Sequence, residues 1–125
     1  MSLPSEPEGS PAAAWTLPEE LQMLADIGDA ETVREVIAVF QSDTEKRIRR
    51  IRSAVAAADA PQVRAEAHAV KGSAGQVGAM HVSSLCRQIE AAAIKQDLAT
   101  AGGLLPELEA AFQTVRAAMS RIKIS

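Results

Sequence analysis

The sequence predicts an all-α fold, an antiparallel up-down four-helix bundle with a short extra helix at the N-terminal end. Three observations carry that expectation. Hydrophobic residues make up 47% of the 125, many of them alanine, while aromatics are 2% (Trp15, Phe40 and Phe112). That leaves too little β-branched and aromatic material for a sandwich or barrel. Four long stretches repeat apolar residues at steps of three and four, the period of a helix buried on one face. The links between those stretches are short and contain Asp, Pro or Gly, which favours antiparallel neighbours.

Residues 1–14 are rich in Ser, Pro, Glu and Gly and lack a hydrophobic period, so a flexible leader is expected there. The bundle domain is expected over 15–125. Order begins near Trp15 and Leu17. Pro18 suits a first helical turn, and Glu19 and Glu20 suit the positive end of the helix dipole. Leu21, Leu24 and Ile27 give this short helix its apolar stripe, and Gly28 ends it. Asp29 is an N-cap for a second helix reaching about Ala58, with Val33, Ile37, Phe40, Thr44, Ile48, Ile51 and Val55 as its buried face.

Asp59-Ala60-Pro61 breaks the chain and starts a third helix from about Gln62 to Val77, stopped by Gly78. A fourth runs from about Met80 to Gln96 with Val82, Leu85, Ile89 and Ala92 inward. Gly102 and Gly103 are expected to mark the last turn. A fifth helix then carries Leu104, Leu108, Phe112 (or Ala111), Val115, Met119 and Ile122.

Composition excludes several functions. Net charge is −3, so the whole molecule does not advertise binding to nucleic acid or an anionic membrane. No apolar run approaches the ~20 residues that span a bilayer, and no signal peptide is evident. A single cysteine, Cys86, has no internal partner, which fits a reducing, cytoplasmic setting. The glycines lack the order of a nucleotide-binding loop.

The most informative segment is Ala67-His68-Ala69-Val70-Lys71-Gly72-Ser73-Ala74-Gly75-Gln76-Val77-Gly78-Ala79. On a wheel at ~100° per residue, Val63, Ala67, Val70, Ala74 and Val77 gather on one side of the third helix. His68 falls almost opposite and should face solvent. Its surface neighbours are Arg64, Ala65, Lys71, Gly72, Gly75 and Gln76. A mid-helix glycine costs about 1 kcal/mol against alanine, and here there are two, so a partner's access to the imidazole is the expected compensation. Lys71, three residues on, can set a cation beside any negative group the ring carries.

The block from about Ala65 to Glu90, with its His68-x-x-Lys71-Gly72 spacing and the Gly78-Ala79 step, resembles histidine-containing phosphotransfer (HPt) domains of multistep two-component signalling. The resemblance implies that His68 is the phosphoacceptor, through Nε2, that Lys71 is its electrostatic helper and that Gly72 gives access. It implies that Glu90 on the fourth helix fixes the tautomer by accepting from Nδ1–H. Arg64, Ala65, Gly72, Gly75 and Gln76 are the expected docking surface for response-regulator receiver domains. Other partners would be a sensor or hybrid histidine kinase, with no nucleic acid or membrane, and the carrier would be a monomer. No intrinsic cofactor is implied; Mg²⁺ would sit on the partner receiver, making this chain a phosphocarrier rather than an enzyme. A variant of the family is phosphorylated directly from ATP by a kinase domain elsewhere.

Other constellations are weaker. His81 opens the fourth helix with no Lys-Gly after it, so a cap-region or surface histidine is expected. Zinc bound by His68, His81 and Cys86 matches no common ligand spacing, and Cys86 reads as a small buried hydrophobe. Ser73 lies nearer the core, where a helix–helix hydrogen bond is expected. The basic run Lys46-Arg47-Ile48-Arg49-Arg50-Ile51-Arg52 supports a rival function, a non-catalytic adaptor bundle that binds an acidic partner through its second helix. Ile48 and Ile51 belong to the buried stripe, however, and a solvated bundle face accounts for the rest.

Overall fold

The computed structural model describes residues 15–122 and Ile124. The expected flexible leader, 1–14, lies outside the described residues. Five helices follow one another: α1 (Glu19–Asp26), α2 (Ala30–Ala56), α3 (Ala60–Gln76), α4 (Met80–Ile94) and α5 (Leu98–Arg121). The described residues contain no strand. Helix α2 packs on α3 and α5, α3 on α4, and α4 on α5, so the four long helices close a ring. Helix α1 lies on α2, and the segment before it reaches the α3–α4 turn, where Trp15 Nε1 donates to the Val77 carbonyl at 2.8 Å.

All four turns share one backbone device. The residue after each helix's C-cap (Gly28, Ala58, Gly78, Gln96) takes a positive φ of 99°, 56°, 77° and 59°, respectively. The next amide then reaches back to a carbonyl five residues earlier: Asp29 to Leu24, Asp59 to Ala54, Ala79 to Ala74, Asp97 to Ala92. That residue also serves as N-cap of the following helix, so each link needs only three residues. Asp59 and Asp97 bond the amides of Gln62 and Thr100 through their side chains; Asp29 makes no such bond.

Alanine at position 58 holds a left-handed conformation that L-residues adopt at a cost of roughly 1 kcal/mol. Ala58→Gly is therefore expected to stabilise the fold by about 0.5–1 kcal/mol. A denaturation midpoint that stays put or falls would show that the turn bears no such strain.

Several expectations need correction, among them Val55, which is half-buried while Ala54 takes the core position. The last link is not at Gly102–Gly103 but at Lys95–Asp97, with both glycines and Pro106 inside α5. Asp97 starts the helix by accepting from both the amide and the hydroxyl of Thr100. Gly102 has a packing reason instead, since a Cβ there would stand 3.1 Å from Val55 Cγ1 of α2. The earlier start places Ala101, Leu105, Leu108, Ala111, Phe112, Val115 and Met119 in the core, leaving Leu104 and Ile122 only half-buried. Ile27 is 80% exposed, because the α1 stripe ends at buried Ala25. Ser73 bonds the Val70 carbonyl of its own helix at 3.3 Å rather than a neighbouring one.

The core is thin where the site will lie. Phe40 and Phe112 meet edge to face between α2 and α5, with centroids 6.2 Å apart. The α3–α4 seam is instead walled by buried Ala67, Ala74, Ala92 and Ala93, with Cys86 between them in sequence and also buried. Small side chains let two helices approach closely. Polar groups flanking that seam can then bond across it.

Candidate functional site

Helix α3 supplies two of the candidate side chains and α4 the third. His68 is 66% exposed on the outer face of α3. Its Nδ1 lies 2.8 Å from Glu90 Oε2, and Lys71 Nζ donates to Glu90 Oε1 at 2.7 Å. One carboxylate thus bridges an imidazole and an ammonium from successive turns of the neighbouring helix. Glu90 does not pair with Arg87, whose guanidinium donates to Ser84 Oγ within α4.

The electrostatics follow from that bridge. The hydrogen bond from Lys71, then that from His68, holds the Glu90 carboxyl below the usual carboxylate range, against an opposing push from burial. Glu90 is therefore an ionised acceptor at neutral pH, and the shared proton sits on Nδ1. The second ring nitrogen, Nε2, belongs to a side chain open to solvent. Glu90 itself is only 12% exposed, so few waters compete for its oxygens.

The surface around the ring is bare. A Cβ added at Gly72 would meet nothing within 4 Å, and one at Gly75 would meet only Ser83 Oγ, at 3.9 Å. Ser83 is a residue that sequence reasoning missed: from α4 it donates to the Lys71 carbonyl at 3.0 Å, tying the two helices one turn beyond His68. In the other direction a shallow depression runs from His68 and Glu90 past Ala65 and Arg64 to Pro61 and the 56% exposed Ile94. Arg64, Ala65, Gly72 and Gly75 therefore flank His68 along α3. Gln76 lies elsewhere, lining a separate groove with Val36 and Val39 between α2 and α3.

The remaining candidates take ordinary places. His81 Nε2 stands 3.4 Å from Glu107 of α5, 27% exposed. Cys86 is fully buried, and burial pushes its thiol up to about 12. Among the described residues no group of three or more His, Cys, Asp or Glu side chains could hold a metal ion, and no helix is long and apolar enough to cross a membrane.

Much of the basic run is internally engaged. Arg47 bonds Asp43 at 2.8 Å and the buried Glu66 of α3 at 2.9 Å, Arg49 lies 3.5 Å from Glu45, and Arg52 pairs with Glu109. These pairs lower the positive potential an acidic partner would meet. Glu66 was not singled out from the sequence, although its spacing of three from Val63 and four from Val70 puts it on the buried stripe.

Comparisons with known proteins converge on one kind of molecule. The family model for the Hpt domain matches residues 35–118. The chain is 39% identical over 70 residues to histidine-containing phosphotransfer protein 2 of Arabidopsis thaliana, covering 54% of this chain and 45% of the relative. It thus spans less than half the length of that protein. The crystal structure of histidine-containing phosphotransfer protein B from Pseudomonas aeruginosa PAO1 superposes with a TM-score of 0.77 at 27% identity, covering 86% of this chain and 94% of the other.

Proposed function

Because this chain belongs to the Hpt-domain family, we propose that it is a phosphocarrier in which His68 relays a phosphoryl group between receiver-domain aspartates. The observation that carries the reading is the carboxylate of Glu90 spanning His68 Nδ1 and Lys71 Nζ beside an uncovered helix face. With Nδ1 protonated, the Nε2 lone pair attacks phosphorus in line, and the bond from phosphorus to the aspartyl oxygen breaks. The aspartate leaves with the electron pair. The positive charge gained by the ring is met by Glu90, and the Nδ1 proton never has to move. Running the same step backwards donates the group onward with a neutral imidazole as leaving group.

In this reading residues 15–125 are one domain, its four long helices run alternately up and down, and the N-terminal helix crosses one end. The carrier is a monomer and works in the cytoplasm. It is not an enzyme on its own, since the receiver supplies Mg²⁺ and the groups around the transferring phosphoryl. The bare flank formed by Arg64, Ala65, Gly72 and Gly75 is where the receiver docks. A sensor or hybrid kinase feeds the relay through its own receiver.

The test is direct. Incubated with a receiver domain carrying a radiolabelled aspartyl phosphate, the protein is expected to gain an acid-labile, alkali-stable label. A protein that stays unlabelled, or is labelled on hydroxyls, refutes the proposal. Lys71→Ala is expected to slow transfer about tenfold, by removing one cation near the moving charge at a half-exposed site. Its stability should change by less than about 1 kcal/mol, because Lys71 is itself 32% exposed and Glu90 keeps its bond to His68. Wild-type rates in that variant would remove Lys71 from the chemistry.

A further inference from the structure

The lysine beside His68 is already occupied. Lys71 Nζ lies 2.7 Å from Glu90 Oε1, on the carboxylate that also takes the Nδ1 edge of the imidazole. The phosphoryl group would sit on the other ring nitrogen, Nε2. The Lys71 ammonium thus starts on the carboxylate at the Nδ1 edge, and turning its donors to a group at the other edge draws it away from Glu90. Lys71 is 32% exposed, and the neighbouring Gly72 adds no side chain of its own to confine it.

We propose that Glu90 is a latch for Lys71: it holds the ammonium at the Nδ1 edge while His68 is empty and yields it to the phosphoryl group when Nε2 is loaded. The inference rests on the reading of His68 as the phosphoacceptor. It makes the site a two-state element. In the empty state one carboxylate and one ammonium offset each other at the Nδ1 edge of the ring. In the loaded state Lys71 faces the phosphoryl oxygens, and Glu90 keeps the Nδ1 proton. Part of the attraction between Lys71 and the phosphoryl group is then spent on releasing Glu90. The latch therefore shortens the life of the loaded state and favours passing the group on.

Glu90→Gln separates the two duties, because an amide oxygen can still accept from Nδ1–H but carries no charge to hold Lys71. The chemistry is simplest with phosphoramidate as donor, which needs no partner protein: Nε2 attacks phosphorus, the P–N bond of the donor breaks and ammonia leaves. With the donor removed, phospho-His68 in Glu90→Gln is expected to outlive the wild-type species about threefold to tenfold, the range set by freeing one cation at a solvent-accessible site. In the Lys71→Ala background the same Glu90→Gln change should alter the half-life less than about twofold, since the latch then has nothing to hold.

A second readout is spectroscopic. The Lys71 ammonium, observed by ¹⁵N NMR, is expected to shift on Glu90→Gln in the empty protein and to shift again when wild-type His68 is loaded. An equal Glu90→Gln effect with and without Lys71, or a Lys71 signal indifferent to loading, overturns the latch while leaving His68 as acceptor. Wild-type protein that takes no label on His68 from either phosphoramidate or a phosphorylated receiver overturns the acceptor reading and the latch together.

Discussion

His68→Gln is expected to abolish phosphoryl acceptance and leave the bundle standing. The side chain is 66% exposed and its one described contact is with Glu90. Glutamine can still donate an amide proton toward that carboxylate, so Glu90 keeps a partner and Lys71 stays in place. Exposed substitutions of this kind change stability by about 0.5 kcal/mol or less. What disappears is the ring nitrogen with a free lone pair, for which an amide nitrogen is no substitute. Label from a phosphorylated receiver should therefore drop to background, with helical circular dichroism and the denaturation midpoint both at wild-type values. Residual label at the wild-type level would place the acceptor elsewhere, and His81, the only other histidine, would be the next residue to replace.

How much of this was legible in the sequence depends on the range of the interaction concerned. The apolar period of α2 and α3 is local, and buried Val33, Ile37, Phe40, Val63, Ala67 and Val70 follow it directly. The step from His68 to Lys71 and Gly72 is equally local, since residues three and four apart on a helix are neighbours. The turn before α5 was misread because its left-handed residue is Gln96 rather than glycine, while the glycine pair six residues later looked like a stop. Gly102 is there for Val55, sequence-distant on α2. Glu90 is the intermediate case. Its approach to His68 was an expectation of family resemblance, but its simultaneous hold on Lys71 depends on the register of α4 against α3. One bond that ties the two helices in that register, from Ser83 to the Lys71 carbonyl, is not contained in a wheel of one helix.

The strongest functional effect after loss of the histidine is expected from Gly72→Leu. Side chains on a helix lean toward its N-terminus, so a residue at position 72 covers the turn that ends at His68. In the wild type that place is open: beyond its chain neighbours and its own helix backbone, a Cβ there would meet nothing within 4 Å. A Cβ there meets no other element of the bundle, and leucine is the better helix former, so stability should rise by about 0.5–1 kcal/mol. On the proposed reading, its branched end would stand where a receiver brings its aspartate in line with Nε2. A displacement of about 1 Å from reacting geometry can slow transfer about a hundredfold, and a loss of that order is expected for transfer from a phosphorylated receiver. Phosphoramidate, only a few atoms across, should still label His68, which separates blocked docking from a damaged nucleophile. Gly72→Ala adds a single methyl group, so it should gain the stability and lose only a few-fold in rate. If leucine at this position left receiver transfer untouched, the open flank beside His68 would not be the docking side. The two consecutive turns that end in glycine would then need a reason other than access.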